Sequence, residues 1–259
     1  MAAWWERALV VLATAVVLAV NGVASTRGIN GVRTGEVAAR YDLPFTPAGW
    51  AFSIWGAIYL ALAAFTLYQL AGHGAASRRV AAVRPAYVFT GVANAAWLWF
   101  WHQESLGTTL AVMLLLLGAL IAAYRVLRAA DAESVAESWC VDLPFSLYLG
   151  WISVATLANL SVVVAYASRA GPLEPVVWSQ LMLVALAGVV LLAWRVLRDP
   201  VFLVVLAWAA AGVALKPGQA PVVAVPAMLV AGLSGMAAMG VLLAAPLQRY
   251  LGGAQSTTR

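Results

Sequence analysis

Eight stretches of this chain are continuous, apolar and nearly free of charge: about 7–25, 47–71, 83–102, 106–128, 143–167, 175–197, 200–216 and 221–246. Nothing else in the sequence constrains the fold as strongly. A hydrocarbon layer ~30 Å thick is crossed by ~20 apolar residues in a helix. In that medium no water satisfies backbone groups, so a spanning segment must be a helix or part of a closed barrel. The runs are rich in Ala, Leu and Val and lack the ~10-residue alternation of a barrel strand. Only 10% of the residues are charged against 64% hydrophobic, with mean hydropathy +0.91, whereas soluble domains carry ~25% charge. The expected class is therefore an all-α integral membrane protein of about eight spans. Segment 200–216 is the shortest and stops at Lys216-Pro217-Gly218, a helix-ending combination. Thr46 with Pro47, and Asp142 before Leu143-Pro144, read as helix starts for the second and fifth segments.

The basic residues punctuate the ends of these runs. Counted by alternate sides, Arg7, Arg78, Arg79, Arg84, Arg125, Arg128, Arg195, Arg198, Arg249 and Arg259 fall on the N-terminal side. Arg27, Arg33, Arg40, Arg169 and Lys216 fall on the other. Positive charge is retained in the cytoplasm, so both termini are expected there. The net charge of +5 is thus a topology signal, and no nucleic-acid partner is expected. The N-terminus lacks the features of a cleaved signal peptide, and a helical chain of this kind fits a bacterial inner membrane.

The acidic residues all fall in loops or at segment ends, which argues against a charged ion or proton relay. Lys216 reads as a snorkelling interfacial lysine. His73 and His102 have no carboxylate or thiol at ligand spacing, and Cys140 is the single cysteine. No metal site, nucleophile elbow or P-loop is legible, so no catalytic residue is assigned and an enzyme is not the expected class.

Neutral polarity remains. Asn21, Asn94 and Asn159 each lie within an apolar run, where an amide needs a partner, worth ~0.6–2 kcal/mol. They read either as interhelical glue or as polar contacts lining a ligand cavity. Trp4, Trp5, Trp50, Trp101, Trp139, Trp178 and Trp194 lie near segment ends, as an interfacial belt does, while Trp55, Trp97 and Trp151 lie deeper. Phe52, Trp55 and Tyr59 share one helical face, as do Asn94, Trp97 and Trp101. Trp151, Ala155 and Asn159 set a small residue between an aromatic and an amide. Aromatic walls, small residues and a few amides suit a flat apolar ligand with polar edges; tight packing is the other reading.

Three motifs at these residues resemble the TspO/MBR family, the tryptophan-rich sensory and translocator (peripheral benzodiazepine receptor-like) proteins. Thr46-Pro47-Ala48-Gly49-Trp50-Ala51-Phe52-Ser53-Ile54-Trp55-Gly56-Ala57-Ile58-Tyr59 resembles the family's second-helix pattern. Asn94-Ala95-Ala96-Trp97 resembles its third-helix Asn-x-x-Trp. Leu143-Pro144, then Trp151-Ile152-Ser153-Val154-Ala155-Thr156-Leu157-Ala158-Asn159, resembles its fifth-helix motif. The resemblance covers about residues 1–170. It implies a five-helix bundle that binds protoporphyrin IX, haem or a similar tetrapyrrole as ligand, with the loop Thr26–Phe45 as a lid. By position, Trp50, Phe52, Trp55, Tyr59, Asn94, Trp97, Trp151, Ala155 and Asn159 would surround that ligand. Phe145 stands where the family has tyrosine, and Leu160 where its sterol-binding members have tyrosine.

Two regions follow: a TspO/MBR-like core over 1–170 and a three-helix extension with a short tail over 171–259. Nine of the twelve tryptophans precede residue 152, which places the working surface in the core. A sensory or regulatory ligand-binding role is the leading expectation. Transport of a lipophilic molecule, or photo-oxidative breakdown of a bound porphyrin, are the alternatives. The stripe Ala227, Ala231 and Gly235 suits close packing of another helix and hence a homodimer.

Overall fold

The computed structural model describes residues 4–41, 43–167 and 174–256, without the side chains of 167 and 245–256. Asp42, Arg169 and the expected boundary at 170 lie outside the described residues. The order is α1 Trp4–Thr26, α2 Thr34–Ala39, a 3₁₀ turn Gly49–Ser53, α3 Ile54–Tyr68, α4 Gly72–Ala76, α5 Arg78–His102 and α6 Leu106–Arg128. It continues with α7 Val135–Glu137, a π turn Ser138–Asp142, α8 Leu143–Ala167, α9 Pro175–Leu192, a π turn Ala193–Leu197, α10 Pro200–Ala214 and α11 Pro221–Ser256. No strand occurs among the described residues.

Among the described residues six helices are long and apolar enough to cross a membrane: Trp4–Thr26, Gly49–Tyr68, Leu106–Arg128, Val135–Tyr166, Pro175–Leu197 and Pro221–Ala244. The chain is an all-helical membrane protein. Two of the eight expected spans differ from the others. Segment 83–102 belongs to α5, which begins five residues earlier and takes in Arg78, Arg79 and Arg84. Segment 200–216 is α10, 15 residues long, about 22 Å at ~1.5 Å per residue.

Helix starts also depart from expectation. The Thr46-Pro47 stretch does not open a helix. The chain turns there, with the Thr46 N–H on the Leu43 carbonyl at 2.9 Å, and the Ala48 N–H is spent on the Gly212 carbonyl of α10 at 2.9 Å before the 3₁₀ turn begins. Helix α8 is entered from Val135 rather than at Asp142. Ser134 caps that start, accepting the Glu137 N–H at 3.1 Å, and Pro144 lies within the continuous run that follows. At the other end of the chain, α11 carries on to Ser256, through residues expected to be tail, with 257–259 outside the described residues.

Helix α5 packs between α1 and α6, α6 packs on α8, and α3 lies against α1 and α8. Phe65, Tyr87 and Phe145 mesh at the centre, with ring centroids 4.7 to 6.0 Å apart. Helix α10 lies on α8 and is itself covered by α11, which also touches α9. Gly150 permits the first of these contacts: a Cβ there would meet Val205 at 3.0 Å.

Charges are buried at the end where α1 starts and α6 ends. Arg79 pairs with Glu137 and Asp142 and donates to the Leu127 carbonyl. Arg84, 1% exposed, faces Glu6 and donates to Gln69. Asp199 accepts from Tyr124, Ser146 and the Phe202 N–H. The acids do sit at helix ends, as expected, yet Glu137 and Asp199 are buried inside protein. Neighbouring arginines, hydroxyls and helix-terminal groups supply the partners that make such burial tolerable.

Candidate functional site

The expected ligand residues fall into two aromatic groups. In the first, Phe52 lies edge-on to Trp151 at 5.6 Å and Trp55 lies edge-on to the same ring at 6.4 Å. Trp55 also stacks on Tyr59 at 5.4 Å and meets Tyr148 edge-on at 6.0 Å. Phe52, Trp55 and Tyr59 therefore do share a face, and it is turned towards α8. Edge-to-face pairs of this kind add ~0.5–1.5 kcal/mol each beyond burial. Trp151 is 2% exposed, so the rings meet one another instead of bordering an open space. Ala155 is half-buried one turn beyond Trp151, and Asn159 is buried one turn further. Trp50 turns away from this group and meets Trp208 of α10 edge-on at 4.8 Å.

Beneath the rings runs a line of neutral polar groups. Thr14 Oγ1 is 2.6 Å from both Thr66 Oγ1 and the Tyr87 hydroxyl. Asn21 Nδ2 donates to Asn94 Oδ1 at 2.8 Å, so part of the amide set is interhelical glue. The set is not closed, however. Asn94 and the Tyr148 hydroxyl lie close enough to interact but outside good hydrogen-bond geometry, and Trp97 Nε1 also lacks a partner. A buried donor left in this state costs ~1–3 kcal/mol. A gap of about 10 Å³ lies nearby, lined by Tyr87, Thr90, Gly91 and Tyr148 among others.

The second group lies under the segment between α1 and α3 that the resemblance reads as a lid. Trp97 stacks on Trp101 at 6.0 Å, Trp101 meets Tyr41 at 5.5 Å, and Tyr41 meets Tyr166 edge-on at 5.0 Å. Trp101 is thus buried, not part of an interfacial belt, whereas Trp4, Trp5, Trp139 and Trp194 are exposed as a belt requires. Trp97 packs against the cores of both groups. Here the tyrosine hydroxyl is satisfied, since Tyr41 donates to Glu104 at 2.7 Å and Arg40 pairs with the same carboxylate, while Trp97 Nε1 has no partner. That hydrogen bond, with Arg40 adding its charge, holds the Glu104 carboxyl below its ordinary range. Burial, reinforced by Glu104, pushes the Tyr41 phenol up to about 12.

A cavity of about 230 Å³ opens elsewhere, between the end of α8 and the start of α9, lined by Leu43, Ser161, Ala165, Tyr166, Pro175, Trp178 and Ser179. None of the expected ligand residues borders it.

Two participants escaped the sequence reading. Tyr148 lies three residues before Trp151, and the same helical periodicity extended backwards would have found it. Trp208 had no local signal, because its partners Trp50 and Ala51 are more than 150 positions away. Lys216, expected to snorkel, donates to the Leu43 carbonyl at 2.9 Å.

Among the described residues no cluster of His, Cys, Asp or Glu could hold a metal ion. The family model described as TSPO-like protein matches residues 7–240, so the similarity reaches past residue 170 into α11. No curated protein and no solved structure matches the chain. With motifs, helical membrane architecture and a match over most of its length in agreement, the chain belongs to the TSPO-like protein family.

Proposed function

We propose that this protein binds a flat hydrophobic ligand of the tetrapyrrole type, such as protoporphyrin IX or haem, between α3 and α8, in a sensory or regulatory role. One observation supports this above others: Phe52, Trp55, Tyr59, Tyr148 and Trp151 meet beside buried donors that make no well-formed hydrogen bond. A bilayer protein gains nothing from leaving Asn94 Nδ2 and the Tyr148 hydroxyl unpaired. A ligand carrying acceptors at its edge would satisfy them, while its face lies on Trp55 and Trp151. The rings are closed on one another, so binding parts them.

The same reading takes α1, α3, α5, α6 and α8 as a five-helix ligand-binding bundle, inside a chain that crosses a bacterial inner membrane eight times with both termini in the cytoplasm. Buried Arg84 and the Arg79 pairs let α5 cross despite its charge, and α10 crosses shielded by α8 and α11.

Titrating the purified protein with protoporphyrin IX while following tryptophan fluorescence tests the site. Saturable quenching is expected in the wild type and its loss in Trp55→Phe/Trp151→Phe. Equal quenching of both proteins would rule the site out.

A further inference from the structure

Helix α10 and the corner after it touch one continuous stretch of chain, residues 43–51, at five points. Lys216 Nζ donates to the Leu43 carbonyl at 2.9 Å, and Gln219 Nε2 donates to the Pro44 carbonyl at 2.6 Å. The Ala48 N–H donates to the Gly212 carbonyl at 2.9 Å. Trp208 Nε1 donates to the Ala51 carbonyl at 2.8 Å while its ring lies edge-on to Trp50. Gly212 is the closest approach, since a Cβ there would sit 2.7 Å from the Ala51 Cβ and 3.1 Å from that of Pro47.

The gripped stretch matters for what it carries. Its start follows Tyr41 of the lid, its middle holds the fully buried Phe45, and its end is the 3₁₀ turn that presents Phe52 to Trp151. Gly49–Ser53 is too short to hold its own position, and no side chain caps it. Helix α10 meets the Ala51 carbonyl within it and the Ala48 N–H just before it. Gln219 also donates to the Val213 carbonyl at 2.9 Å, which ties the gripping corner to the end of the helix that grips.

We propose that α10 is a clamp: Trp208, Gly212 and Gln219 are positioning residues that fix residues 43–51, and thereby set how fast the α3/α8 aromatic site opens. The consequence for the site rests on the ligand-binding reading above; the clamp on the chain does not. The tryptophan count drew attention away from the extension, yet the extension holds the turn in place.

Amide hydrogen exchange of the full-length protein in lipid nanodiscs separates these statements. Three variants each remove one element of the grip: Trp208→Phe keeps a ring but loses the donor, Gln219→Leu keeps the shape, and Gly212→Val wedges the surfaces apart. Exchange at Leu43–Ala51 is expected to quicken roughly five- to tenfold for the first two, the effect of one lost hydrogen bond, and more for Gly212→Val. Amides in mid-α6, which α10 does not grip, serve as the folding control. Unchanged exchange at 43–51 in Trp208→Phe and Gln219→Leu overturns the clamp.

Protoporphyrin IX release, followed by recovery of tryptophan fluorescence, then reads the consequence for the site. Release quickened in step with exchange supports control by the clamp, and release at the wild-type rate despite faster exchange overturns it. A wild type that shows no saturable quenching defeats the ligand reading while leaving the exchange result standing.

Discussion

The two aromatic groups are built from the same residue types and wired differently. Under the lid, Tyr41, Trp97, Trp101 and Tyr166 close over one another, and the tyrosine at the rim spends its hydroxyl on Glu104. Between α3 and α8, Phe52, Trp55, Tyr148 and Trp151 pack as closely, but the hydroxyl and amide behind them are unspent. The lid group has the character of a latch, with its rim tyrosine hydroxyl paired to a charge at the water's edge, although Trp97 Nε1 within it has no partner. The α3/α8 group has the character of a site, because Tyr148 and Trp151 are buried while the hydroxyl and amide behind them are left without a partner. Aromatic enrichment alone does not distinguish the two; the state of the Tyr41 and Tyr148 hydroxyls does.

The comparison is broken or sharpened most strongly by truncation. Trp151→Ala removes a ring that is 2% exposed, so thermal unfolding should register a loss of ~3–5 kcal/mol. A loss below about 1 kcal/mol would mean that the ring is not packed as described. Tyr148→Phe is the sharper test. Deleting a hydroxyl without a partner should leave stability unchanged or raise it by up to ~1–3 kcal/mol, while protoporphyrin affinity falls. A destabilised variant would show that the hydroxyl is satisfied after all. Tyr41→Phe should behave in the opposite sense, losing about 1 kcal/mol, because its hydroxyl has a charged acceptor at a partly exposed position.

The smallest effect is in pH. Glu104 titrates below its ordinary value in the folded protein, so its contribution is present at neutral pH and is lost as the pH falls through the folded value. Amide exchange across Val37–Leu43, corrected for intrinsic rate, should quicken as the pH falls below the ordinary glutamate range. Glu104→Gln should remove that dependence. Exchange that slows on acidification would contradict the latch.

Much of the fold could be read directly, because apolar length is a one-dimensional property: α1, α6, α9 and α11 lie where their runs lie. Helix α5 was harder, since Arg79 and Arg84 look like loop charges until Glu137, Asp142, Gln69 and Glu6 are brought beside them. Of the candidate site, the face Phe52–Trp55–Tyr59 was legible from helical spacing. Trp101 was not, because position near a segment end predicts a belt and only the lid's return over α5 buries it. The clamp was illegible for the same reason: Trp208 and Ala51 become neighbours only when α10 settles on α8.

The central claim is that ligand belongs to the α3/α8 group and not to the lid group. Protoporphyrin IX titration of two double variants, Trp55→Phe/Trp151→Phe and Trp101→Phe/Tyr166→Phe, tests it directly through tryptophan quenching. The first should lose saturable binding, and the second should keep a dissociation constant within about threefold of the wild type, a difference of ~0.7 kcal/mol. Binding retained by the first and abolished in the second would contradict the account.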